Sequence, residues 1–91
     1  MDSPRLKRRL RDSVAKGQLR YTEHALQRME ERGFLFPDVE RILRNGTHDQ
    51  GRDMQVGNKW RYRISGSTID GIAMSVVVEV DPELVVITVI G

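Results

Sequence analysis

The spacing of apolar residues changes character once along this chain, and that change limits what it can fold into. Before Gly46 the apolar positions recur three and four apart, as in Leu6, Leu10 and Val14, or Ala25 and Met29. After Gly46 the period is two: in Lys59-Trp60-Arg61-Tyr62-Arg63-Ile64 the apolar and basic residues alternate. A period near 3.6 buries one stripe of a helix, and a period of two buries one face of a strand. Helices first and strands second, joined by short turns that favour antiparallel neighbours, predict an α+β fold. In this reading the N-terminal helices pack on an antiparallel sheet of three or four strands.

Local signals set the expected boundaries. Ser3 and Pro4 open a basic first helix within residues 1–19, with Ser3 as its N-cap and Gly17 at its stop. Thr22 caps a second helix that runs to Arg32, and Gly33 supplies the left-handed stop. Its expected buried stripe is Ala25, Leu26 and Met29. A third helix starts at Pro37 and ends at Asn45-Gly46, with Val39, Ile42 and Leu43 inward. Phe34, Leu35 and Phe36 form an apolar elbow expected to plug the core. Ile72–Val80 and Leu84–Ile90 read as strands rich in β-branched residues, and Thr47–Val56 as a weaker edge strand. The last two strands are apolar on both faces, so the second face is covered or meets a partner. The final strand is expected at an open edge, where a second copy can pair.

With 91 residues the expectation is one domain spanning 1–91, with residues 20–91 holding the second and third helices and the sheet. Cysteine is absent, which excludes disulfides and thiolate metal sites. No apolar run approaches the roughly 20 residues of a membrane-spanning helix, and the charged start lacks a signal-peptide core. A cytoplasmic protein without membrane contact is the expectation. Charge is uneven: residues 1–20 hold seven basic and two acidic side chains, whereas residues 64–91 hold four acids and no base. A basic end favours contact with phosphate, although a solvated cationic helix face is the plainer reading.

The stretch YTEHALQRMEERG, residues 21–33, carries the sharpest chemical signal. At 3.6 residues per turn, His24, Arg28 and Arg32 form one ridge beside the apolar stripe, and Tyr21 would fall near it. Two guanidiniums hold a phosphate and stabilise its developing charge, and a histidine has the proton affinity a general base needs near neutrality. These three are the candidate catalytic residues. The alternative is a core helix whose edge is dressed with local ion pairs to Glu31, each worth a few tenths of a kcal/mol. Candidates for RNA binding are Lys59, Arg61, Arg63, Arg8 and Arg9, with Tyr62 as a proton donor or stacking group. Lys59, Arg61 and Arg63 make a groove only if they face the second helix. His48 with Asp49 and Asp53 matches no discriminating metal-ligand spacing and reads as a solvated loop. No Ser/His/Asp set is recognisable, and neither metal nor cofactor is expected.

Tyr21, Thr22, His24, Ala25, Arg28, Met29, Arg32 and Gly33 resemble a motif, S/T-x-H-A-x-x-R-M-x-x-R-G, of a small bacterial family of domains of unknown function. The resemblance covers about residues 20–90 and includes the two final strands. Such domains are grouped by similarity with RelE, MqsR and BrnT toxins. That grouping implies a type II toxin: a metal-independent endoribonuclease that leaves a cyclic phosphate, cuts free or ribosome-bound mRNA, and is neutralised by a cognate antitoxin. Two positions depart from the pattern, with Ser75 where a histidine is common and Ile90 where an aromatic residue is common. The competing expectations are a non-catalytic module that binds nucleic acid or protein through the first helix and the sheet edge, and a partner-stabilised structural protein.

Overall fold

The computed structural model describes residues 1–91. Three helices, α1 (Ser3–Ala15), α2 (Glu23–Arg32) and α3 (Phe36–Asn45), pack on a mixed, mostly antiparallel six-stranded sheet. Its strands are β1 (Leu19–Tyr21), β2 (Thr47–His48), β3 (Met54–Val56), β4 (Lys59–Ser67), β5 (Ala73–Glu79) and β6 (Leu84–Ile90). Their order is β1-β6-β5-β4-β2, with β3 pairing β4 beyond β2. The α+β class is as the sequence implies, but the sheet is larger. The expected weak edge strand is two short ones, β2 and β3, separated by a 3-10 turn over Gln50–Arg52. Three-residue β1 gave no periodic signal, yet it pairs with β6 in parallel, in the register Leu19↔Leu84 to Tyr21↔Val86. The last strand is therefore internal rather than an open edge.

Helix boundaries follow their caps. Asp2, not Ser3, caps α1: its Oδ1 accepts from the Arg5 amide at 2.9 Å. Thr22 caps α2, and Gly33 closes it in the left-handed region at φ 70°. α3 begins one residue earlier than expected, at Phe36. Buried Asp38 fixes its start, with Oδ2 accepting from Leu35 N and Oδ1 from Ile69 N, both at 2.9 Å. Gly46 ends α3 where a Cβ would stand 2.6 Å from the Ile42 carbonyl oxygen and 2.9 Å from that of Ser65. No other residue fits there without moving backbone.

One apolar cluster unites the helices and one face of the sheet. It takes Leu6, Leu10 and Val14 from α1, Ala25 and Met29 from α2, and Val39, Ile42 and Leu43 from α3. The strands supply Tyr62, Ile64, Met74, Val76, Val78, Leu84, Val86 and Val89. The opposite, outer face carries Arg61, Arg63, Ser65, Ser75, Val77 and Glu79, and no helix lays its apolar stripe on it. The elbow is only partly a plug: Phe34 is buried, but Leu35 and Phe36 are 66% and 50% exposed. Leu26 also departs from expectation at 41% exposed, because the stripe that reaches the sheet is only as wide as Ala25 and Met29. No helix is long and apolar enough to cross a membrane.

This difference along α2 is measurable. Met29→Ala is expected to cost about 2–5 kcal/mol in denaturant unfolding. Leu26→Ala is expected to cost less than about 1 kcal/mol, because its side chain already meets water.

Candidate nucleic-acid interface

The motif helix is positioned by the residue that caps it. Thr22 N donates to the Val86 carbonyl at 3.1 Å, extending the β1–β6 pairing by one step. Its Oγ1 donates to the Ile87 carbonyl at 2.8 Å and accepts from Ala25 N at 3.0 Å. A hydroxyl can do both at once, so one side chain ends a strand, starts a helix and binds the two to β6. At the far end Phe34 N donates to the Met29 carbonyl, and Phe34 is buried. With Ala25 and Met29 turned into the core, His24, Arg28 and Arg32 lie along one flank. His24 and Arg32 are exposed and make no side-chain hydrogen bond or ion pair. Arg28 is half-buried and pairs with Glu31 at 3.4 Å, a long contact of small energetic worth.

Tyr21 does not join this ridge. It lies on β1, packed against the core, with its ring edge-on to Phe36 at a centroid distance of 4.9 Å. Its hydroxyl is buried without a hydrogen-bond partner. Burial, and secondarily the charge of Glu40, push its pKa up to about 12.

The basic strand faces away from the helices, so the groove between β4 and α2 does not form. Arg61, Arg63 and Ser65 occupy the outer face, while Tyr62 and Ile64 point into the core. The three cations have different surroundings. Arg61 Nε donates to Glu79 Oε2 at 3.1 Å, so its charge is met. Lys59 donates to the Asp81 carbonyl at 2.9 Å. Arg63 has no acceptor, and its Nε is buried without a partner. Arg63 shares a cross-strand row with Val77 and Thr88. The next row is Ser65, Ser75 and Ile90, with the two serine hydroxyls 2.9 Å apart. A buried guanidinium N–H with no acceptor is costly and makes Arg63 the cation on this face most in need of an anion. β4 stands two strand positions from β6, about 10 Å. No hydrogen bond or ion pair joins Arg63 to the α2 ridge.

Tyr62 stands apart from Arg61 and Arg63. It is buried, and its pKa is raised, chiefly by burial and further by Asp53 and Asp81. Helix α1 lies on the domain through Leu6 and Leu10, and several of its cations serve that docking. Lys7 donates to the Gly46 carbonyl, Arg9 to that of Pro82 at 2.9 Å, and Arg11 to that of Arg44 at 3.0 Å. Burial, followed by repulsion from Arg11, lowers the pKa of Lys7. Arg8 remains exposed and without a partner.

His48 is the residue whose role the sequence concealed. Its side chain is 1% exposed, and it is not in a solvated loop. Ser3 Oγ lies 2.7 Å from Nδ1, and Asp53 Oδ1 lies 2.7 Å from Nε2. The ring meets Tyr62 edge-on at 5.7 Å. Both ring nitrogens are engaged, which leaves neither for a metal. The Ser3–His48–Asp53 string ties the start of α1 to β2 and to the segment before β3. Ser3 and His48 are 45 positions apart in the chain, so no local spacing could have revealed the set.

The fold and these surfaces define a small α+β domain with all helices on one sheet face, a partly cationic outer face and a cationic ridge on the helix beside β6. The chain belongs to the DUF4258 family, a domain of unknown function, whose model matches residues 21–90. That span includes the motif helix and the strands β2 to β6, and it leaves out α1. No curated protein and no solved structure matches the chain. The family match does not connect the chain with RelE, MqsR or BrnT toxins.

Tyr21 gives a pH prediction. Its folded pKa lies above its ordinary value of 10.0, so its contribution to stability is complete below pH 10 and is lost as pH rises through about 12. The melting temperature is expected to fall across that window. Tyr21→Phe should be less steep there and no less stable at pH 7, because the hydroxyl it removes has no partner.

Proposed function

We propose that this domain is an RNA-cleaving toxin of a type II toxin–antitoxin pair that acts on mRNA in the cytoplasm. The observation that carries the proposal is the α2 ridge. His24 and Arg32 are held on a fixed helix with nothing in the molecule to satisfy them, and Arg28 has only a long contact to Glu31. In this reading Arg28 and Arg32 hold the scissile phosphate and His24 is the general base. His24 takes the proton of the RNA 2′-hydroxyl as that oxygen attacks the adjacent phosphorus. The P–O5′ bond breaks, a 2′,3′-cyclic phosphate forms, and the departing 5′ oxygen takes a proton from solvent. The ridge supplies charge stabilisation and proton transfer, the two contributions this reaction most needs. Arg63 and the exposed cations of α1 guide the backbone. The cognate antitoxin would cover the outer face, where Val77, Val85 and Ile87 are half-buried without packing on the core.

A second reading, a non-catalytic RNA-binding module, draws on Arg63. The Arg63 guanidinium, on the outer face and without an acceptor, can hold a phosphate without taking part in proton transfer.

Cleavage of end-labelled mRNA, with and without ribosomes, separates the two. The toxin reading expects His24→Ala to slow cleavage by about 100-fold or more, and a 2′-deoxy substitution at the cut site to abolish it. Equal cutting by His24→Ala protein, or of the deoxy substrate, contradicts the mechanism. If RNA is bound but never cut, the module reading stands. That reading also expects Arg63→Gln to weaken binding evenly across sequences and to reduce the salt slope by about one.

A further inference from the structure

We propose that the cavity between the β3–β4 hairpin and the start of α1 is a nucleobase-binding pocket, in which the base of a nucleotide stacks on Trp60. Trp60 follows the same alternation as buried Tyr62 and Ile64, yet it is 48% exposed because it lies nearer the hairpin, where the core ends. Beside it opens a cavity of about 470 Å³, lined by Arg5, Asn58, Lys59, Tyr62 and Pro82 among others. That volume lies within the roughly 300–1,000 Å³ usual for small-ligand sites.

The walls are held in place from three directions. Arg9 of α1 donates to the Pro82 carbonyl, and Lys59 donates to the Asp81 carbonyl. The first turn of α1 is tied to His48 through Ser3. The pocket is therefore formed before any ligand arrives, which reduces the ordering cost of binding. Its free polar groups suit a nucleotide. The Arg5 guanidinium and the Asn58 side-chain amide make no hydrogen bond within the protein, and the ammonium of Lys59 keeps its charge while bonded to a neutral carbonyl. An amide offers a donor and an acceptor to a base edge, and a guanidinium offers a fork to a phosphate. Asp81 is also among the lining residues, and a carboxylate is a natural acceptor for an exocyclic amine. An indole face, an amide and a guanidinium around one opening are the components that hold unstacked bases.

The pocket lies on the side of β4 opposite Arg61 and Arg63, and it is separate from the α2 ridge. The inference rests on the RNA reading only where the base belongs to an RNA strand; a free nucleotide presents the same chemistry.

Trp60 is the sole tryptophan, so its emission reports this pocket alone. The experiment titrates the whole protein with a single-stranded RNA of about eight nucleotides, within the range of single-strand site sizes. It is repeated with adenosine and uridine monophosphates. RNA binding is followed in parallel by the anisotropy of an end label. The expected result is saturable quenching of Trp60 emission. Trp60→Ala and Arg5→Ala should each weaken binding by about tenfold, with the circular dichroism spectrum unchanged. Quenching by the monophosphates assigns the pocket to free nucleotides, and quenching by the oligonucleotide alone assigns it to an RNA strand. Rising anisotropy with unchanged Trp60 emission, and undiminished binding by Trp60→Ala, overturns the pocket and leaves the RNA reading standing. Flat anisotropy together with silent emission overturns both.

Discussion

The placement of every candidate group on α2 depends on the hydroxyl of Thr22. It donates to the Ile87 carbonyl and accepts from Ala25 N, while its own amide continues the pairing of β1 with β6. A parallel strand of three residues supplies few ladder bonds, so this junction matters out of proportion to its size. It compels α2 to leave the sheet beside β6 with Ala25 and Met29 downward. The ridge of His24, Arg28 and Arg32 is then turned aside by helix geometry. Replacing the hydroxyl removes a cap and a helix-to-strand bond together, whereas an ordinary cap supports only its own helix.

One-sided burial is the second constraint. Because the stripes of all three helices share a single cluster with one sheet face, β4 has two chemically different sides. Tyr62 and Ile64 belong to the core, and Arg61 and Arg63 belong to the outer face. Glu79 neutralises Arg61, and nothing neutralises Arg63. Neighbouring residues of one strand thus differ in what they can offer a ligand, and charge counts along the sequence do not reveal it.

What the sequence discloses here is local, and what it hides is long-range. The limits of α2 are readable because Thr22 and Gly33 act within a few residues of themselves. The strands β4 to β6 are readable because a period of two is a property of adjacent positions. Leu26 misleads because helical spacing alone does not say how wide a stripe the sheet will cover. β1 escapes notice because three residues carry no period, and its strand character comes from β6, more than 60 positions away. His48 reads as a loop residue because Ser3, 45 positions away, reaches its ring only through the docking of α1, and nearby Asp53 alone does not reveal that the ring is buried. The candidate ridge is legible for the same reason as α2 itself. The side of the sheet on which Arg63 stands is not, because only the packing of the helices decides it.

The most direct measurement is an amide chemical-shift map of the isotope-labelled protein titrated with single-stranded RNA. If the ridge and the outer face meet RNA, the largest changes fall at His24, Arg28 and Arg32 on α2 and around Arg63 on β4, and added salt reduces them together. Changes confined to α1, or no change at any of these four residues at RNA saturation, would contradict an RNA role for either surface.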